Sequence, residues 1–128
     1  MTTTKTAQNI LDENNYTATE CGLTDLEGLM DLAISYVNSQ AFQSIAALTG
    51  VPGAKTTGAL TDAQLSAFYP LVVILLRAHV DRGPNVGVGG LNVSTVIADP
   101  QFSTYKSMFD AAVTELRRVG SARKFQRA

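Results

Sequence analysis

The stretch that most constrains this chain runs from Leu65 to Val80, LSAFYPLVVILLRAHV, and carries no charge until Arg77. A helix that is apolar on nearly every side belongs inside a bundle or inside a membrane. The uninterrupted part, Ala67 to Leu76, is too short to cross a hydrocarbon core of about 30 Å. The run therefore predicts the central helix of a small soluble domain, spanning about residues 62–82. Thr61-Asp62-Ala63-Gln64 forms a capping box at its start, and Gly83-Pro84 cannot continue it. Pro70 removes one intrahelical hydrogen bond and predicts a kink.

A central helix of this kind needs one-sided helices around it. Leu26, Leu29, Met30, Ala33, Ile34 and Val37 recur at i, i+3, i+4, i+7, i+8 and i+11, one continuous helical stripe. Thr24-Asp25-Leu26-Glu27 reads as its capping box. The pattern weakens at Asn38, Ser39 and Gln40. It resumes at Phe42, either continuing the helix or turning away, and stops at Gly50. Asp99-Pro100 marks another helix start, with an acceptor at the N-cap and proline at N1. Phe102, Tyr105, Phe109, Ala112, Val113 and Leu116 form its buried stripe, and Gly120 is expected to end it.

The rest is connection. Thr6 to Glu13 is a short helix with few apolar positions, so residues 1–20 are expected to be weakly ordered. Residues 50–60 form a loop rich in Gly and Pro. Residues 83–98 read as a Gly-rich loop leading into a short strand or extended arm. The fold class is all-α: a small helical bundle in one domain, residues 1–118, with a flexible basic tail at 119–128. With 45% hydrophobic and 16% charged residues, a chain of this length is not wholly disordered.

No residue pattern supports an enzyme, a cofactor or a metal site. In neither Gly-rich loop does Lys followed by Ser or Thr come directly after the second glycine, as a phosphate-binding loop requires, and Asn92 stands where Gly87-Val88-Gly89 would need a third glycine. His79 is the only histidine, and a hydrogen-bonded structural role at the bundle edge suits it best. Cys21 is the only cysteine; it cannot form an internal disulfide and has no neighbouring base in sequence, so it reads as a packing residue. The absence of disulfides and of an apolar leader suits a reducing compartment.

Charge is uneven along the chain although the net charge is −1. Residues 1–31 carry six acids against Lys5, whereas residues 117–128 carry five bases and no acid. Arg117, Arg118, Arg123, Lys124, Phe125 and Arg127 combine positive charge with an apolar anchor. They read either as a solvated helix end or as a segment that docks on an acidic partner.

Leu75-Leu76-Arg77-Ala78-His79-Val80-Asp81-Arg82, the Val86–Leu91 loop after it and the closing helix with Tyr105 resemble the head–tail connector, or adaptor, proteins of long-tailed bacteriophages. The likeness covers about residues 20–118 and lies more in layout than in motif. Val80 stands where the family often has an aromatic residue, and Asp31 stands near a position that commonly holds Lys or Arg. The resemblance implies a virion structural protein of the neck, assembled in the host cytoplasm. It implies a ring of twelve copies beneath the portal protein, a stopper or tail protein below, DNA passing through the lumen, and no membrane. On that reading Arg117–Arg127 dock on the portal, and Val86, Val88, Leu91 and Val93 reach the next subunit. The alternatives are another neck or tail-completion protein, or a small helical regulatory or nucleic-acid-binding protein.

Overall fold

The computed structural model describes residues 2–82 and 92–127, with side chains through Arg118. It is mainly helical, with one small two-stranded sheet that the sequence reading did not anticipate.

Helix α3, Asp62–Arg82, packs against helices on both sides of it in sequence. Its capping box is formed in both directions: the Gln64 amide donates to Thr61 Oγ1 at 3.2 Å, and the Thr61 amide donates to Gln64 Oε1 at 3.1 Å. The helix continues across Pro70. Phe68, Leu71, Val72, Val73, Ile74, Leu75 and Leu76 are all buried, and together they cover most of the circumference of the helix. By length and composition α3 could cross a membrane; in this fold other helices of the same chain cover it.

Helix α2, Leu23–Ala41, buries the expected stripe against α3. It starts two residues earlier than the Thr24 capping box would place it. Gly22 is the N-cap and no side chain caps it. Glu27 is engaged elsewhere, as described below. Phe42 ends the helix in the left-handed conformation, so residues 42–50 turn away and do not extend it.

Asp99 caps a 3₁₀ turn, Pro100–Phe102, that runs directly into helix α5, Ser103–Arg127. Phe109, Ala112, Val113 and Leu116 form the seam of α5, which packs mainly on α3. Gly120 does not end this helix, so the segment expected as a flexible tail has a helical backbone. A glycine inside a helix costs only about 1 kcal/mol. The run around it includes good helix formers, Ala122, Arg123 and Lys124, and contains no proline. Residues 93–97 are also helical, as α4, Val93–Ile97, and not an extended arm. Asn92 caps it by accepting the Thr95 amide at 3.3 Å, and Ile97 enters the core. Val93 therefore sits in a helix, whereas Val86, Val88 and Leu91 lie outside the described residues.

The N-terminal segment is built into the core. Helix α1, Ala7–Glu13, has its own capping box between Thr6 and Asn9, and Ile10 and Leu11 are fully buried. Ahead of it, strand β1 (Thr2–Thr3) pairs antiparallel with β2 (Leu60–Thr61), Thr2 opposite Thr61 and Thr3 opposite Leu60.

Candidate functional site

Between α2 and β2 the chain returns along α2 as a strap, residues 42–59. Three polar side chains on one face of α2 hold it. Glu27, Asp31 and Asn38 lie at i, i+4 and i+11, within about 40° of one another around the axis. Asn38 clamps Ile45 in both directions, accepting its amide and donating to its carbonyl, each at 2.9 Å. Asp31 accepts the Leu48 amide at 3.0 Å. Glu27, only 3% exposed, accepts the amides of Gly53 at 2.9 Å and Lys55 at 2.8 Å. The Glu27 carboxylate thus pins the Val51–Ala54 turn, closed by an Ala54 amide to Val51 carbonyl bond of 2.8 Å. Gly53 has φ of +89°, which a Cβ would strain. The far side of the strap is tied to the N-terminal arm, where the Thr57 amide donates to the Lys5 carbonyl and the Lys5 amide to Thr57 Oγ1, both at 2.9 Å.

The strap begins at Phe42, a large aromatic with φ 56° and ψ 43° and 79% exposed. Bulky residues rarely adopt that conformation. The Arg117 guanidinium lies 5.6 Å from the ring centroid, and its Nε–H donates to the Gln40 carbonyl at 2.5 Å. Gln43, next in sequence, accepts from Gln64 Nε2 at 3.0 Å. Both sides of Phe42 are therefore fixed while its ring faces outward.

On α5, the flank carrying Arg117 is opposite the flank carrying Met108, Ala111 and Glu115. Residues 108 and 117 are nine apart, about 180° around a helix. The Met108 flank and the first half of α3 enclose an apolar groove of about 620 Å³, lined by Tyr69, Pro70, Met108, Ala111, Ala112 and Glu115 among others. Lys5 closes one side. Its Nζ is 2.7 Å from Glu13 Oε2 and 5.4 Å from the Tyr69 ring centroid. Tyr69 donates its hydroxyl proton to Glu13 Oε1 at 2.9 Å and accepts from Asn14 Nδ2 at 3.1 Å. Burial and the Glu13 contact push the Tyr69 phenol up to about 12. Burial opposes ionisation of Glu13, but hydrogen bonds from Lys5 and Tyr69 hold its carboxyl below the ordinary value.

The other flank of α5 opens a more polar cleft of about 410 Å³ toward α2 and α4. Tyr36 and Phe109 are tilted against each other with centroids 5.8 Å apart, and Lys106 pairs with Asp110 at 2.7 Å.

The basic cluster divides into two parts. Arg117 is engaged by Gln40 and Phe42, and Arg118 forms a two-pronged bond to Glu115 at 2.6 and 3.1 Å. Arg123, Lys124, Phe125 and Arg127 ride on the last turns of α5, and their side chains lie outside the described part of the chain.

His79 is 2% exposed and its Nε2 is 3.7 Å from Asp25 Oδ2, too long for a hydrogen bond. Its Nδ1 has no partner among the described residues, so the hydrogen-bonded edge position expected for it is not what forms. Cys21 is buried in the core, and burial together with the Asp25 charge pushes its thiol up to about 11, far from a reactive thiolate. Among the described residues no three His, Cys, Asp or Glu side chains are grouped to hold a metal ion.

The sequence reading picked out the basic cluster but missed the Glu27–Asp31–Asn38 ladder, the outward Phe42 and the α3–α5 groove. The ladder does leave a signal: three polar residues aligned beside the apolar stripe of α2. Compared with known proteins, the chain matches no family model, no curated protein and no solved structure.

Proposed function

We propose that this protein is a structural virion component, an adaptor that forms a ring between the portal and the tail or neck of a long-tailed bacteriophage, with DNA passing through the ring. One observation carries the reading. The helical backbone of α5 runs on from Leu116 to Arg127, about 16 Å at 1.5 Å per residue. That extension bears the basic cluster. A helix that continues through a basic segment suits a protein that docks by one end on a larger assembly. The element order supports the same reading: a one-sided helix, a loop, an apolar central helix, a Gly-rich connection and a long closing helix follow the layout on which the resemblance rests. Because Arg117 and Arg118 already have partners within the chain, the docking role falls chiefly to Arg123, Lys124, Phe125 and Arg127.

The test is co-sedimentation with portal particles. The full chain binds and forms a ring, and the interaction weakens as salt rises. A chain lacking residues 119–128 keeps its helical circular dichroism and no longer binds. Retained binding by the shortened chain rejects the docking assignment, and failure of the full chain to bind rejects the adaptor reading.

A further inference from the structure

We propose that the cleft between α2, α4 and α5 binds a small aromatic anion, a flat ring carrying one carboxylate or phosphate group. The proposal goes beyond the adaptor reading and does not rest on it.

The cleft holds hydrogen-bonding capacity that the chain does not use. Its volume, about 410 Å³, lies in the range of small-molecule sites. Tyr36 and Gln40 of α2, Ser94 of α4 and Arg117 of α5 line it together. The Tyr36 and Ser94 hydroxyls and the Gln40 side-chain amide make no hydrogen bond among the described residues. A few polar groups converging over an apolar floor are what orients a bound small molecule.

Arg117 provides the anion end. Among the described residues it has no carboxylate partner: its Nε–H donates to the Gln40 carbonyl and its guanidinium lies beside the Phe42 ring, both uncharged groups. Those two contacts hold the guanidinium in place and leave its Nη edge unspent. A planar fork fixed in this way is preorganised for a two-pronged bond to a carboxylate or phosphate. Lys106, the other cation of the lining, does not compete, because Asp110 already pairs with it at 2.7 Å. The uncompensated positive charge of the cleft therefore sits at the Arg117 end.

The ring end lies one helical turn away. Gln40, whose carbonyl holds Arg117, and Tyr36 are four residues apart on α2 and so stand about 5–6 Å apart on one face. The Tyr36 and Phe109 rings, with centroids 5.8 Å apart, make an apolar floor there together with Ile97 and Val113. An aromatic ring laid on that floor in an offset or tilted arrangement gains contact from both side chains. With its acid group attached directly to the ring, such a molecule spans the step from Tyr36 to Arg117. The Tyr36 and Ser94 hydroxyls remain available to a second polar substituent.

The experiment is a nuclear magnetic resonance titration of the full chain with benzoate and, separately, with phenyl phosphate. Phenol supplies the ring without the charge, and inorganic phosphate the charge without the ring. At least one of the two acids should shift the Tyr36 ring signals and the Arg117 Nε–H signal saturably, and both controls should bind at least about tenfold more weakly. The tighter of the two acids identifies the group that the site takes. Arg117→Gln, at an exposed position, removes the charged fork and should weaken binding by roughly tenfold or more, with an unchanged circular dichroism spectrum. Arg118→Gln, next to it, should leave binding unchanged, since Arg118 is paired with Glu115. No saturable shift with either acid overturns the proposal, as do shifts centred elsewhere on the protein. Equal weakening by the two substitutions overturns it too, as does inorganic phosphate binding as tightly as phenyl phosphate, which would mean an adventitious ion only. None of these results bears on portal binding, so the adaptor reading stands or falls separately.

Discussion

Glu27 accepts the backbone amide of Lys55 at 2.8 Å from a position within α2 that is almost wholly buried. The same carboxylate takes the Gly53 amide at 2.9 Å. A surface strap is therefore anchored by a charge inside the helical body, and its conformation depends on that carboxylate. Glu27→Gln keeps one acceptor and turns an amide group toward the other N–H. It should lower stability by about 1–2 kcal/mol, and Glu27→Ala by about 2–4 kcal/mol. Urea unfolding measures both. Trypsin gives a local readout, since cleavage after Lys55 should accelerate in the variants well before other sites open.

Asn38 is the second anchor. Its side chain substitutes for the backbone partner that Ile45 lacks once Phe42 has turned the chain away. Asn38→Ala removes both bonds and should cost about 1–3 kcal/mol. Asn38→Asp keeps the acceptor and loses the donor, so it should fall between the wild type and the alanine variant in the same assay.

The Lys5–Glu13–Tyr69 cluster makes opposite contributions at the two ends of the pH range. The Glu13 carboxyl titrates lower in the folded protein than its ordinary 4.5, so the folded state binds fewer protons there. The stability it contributes is complete above that ordinary value and is lost as pH falls through the lower folded value. The Tyr69 phenol is raised from 10 to about 12, so its contribution is complete below pH 10 and is lost as pH rises through about 12. Glu13→Gln should flatten the acid limb of a stability-versus-pH curve. Tyr69→Phe should remove the most alkaline tyrosinate step from an ultraviolet titration.

Phe68 is fully buried in α3. Phe68→Ala should cost about 3–5 kcal/mol, the range for emptying an aromatic from a packed core. Gly120→Ala, in the last third of α5, should instead add about 0.5–1 kcal/mol of helix stability and leave the core transition nearly unchanged. Calorimetry and circular dichroism separate the two effects.

The parts of this fold that were legible in the sequence are those fixed by local pattern. The start of α3 followed from an all-round apolar run opened by the Thr61 capping box. The stripe of α2, the Thr6 start of α1 and the Asp99 cap were read in the same way. What was not legible depends on partners far along the chain. Thr24-Asp25-Leu26-Glu27 has the spacing of a capping box, but Glu27 bonds instead to residues 26 and 28 positions later. No residue-level rule places an aromatic in the left-handed region, so Phe42 looked like part of a helical stripe. Gly120 was read as a stop because glycine commonly ends helices, although its cost inside one is small.

The tie between the N-terminal arm and the strap has a consequence for synthesis. Lys5 leaves the ribosome 52 residues before its partner Thr57. At about 5–20 residues per second, the arm waits roughly 3–10 seconds before it can dock. Throughout that interval the arm lacks its partner on the strap, so the nascent chain passes through a stage in which α1 has only α2 to pack against.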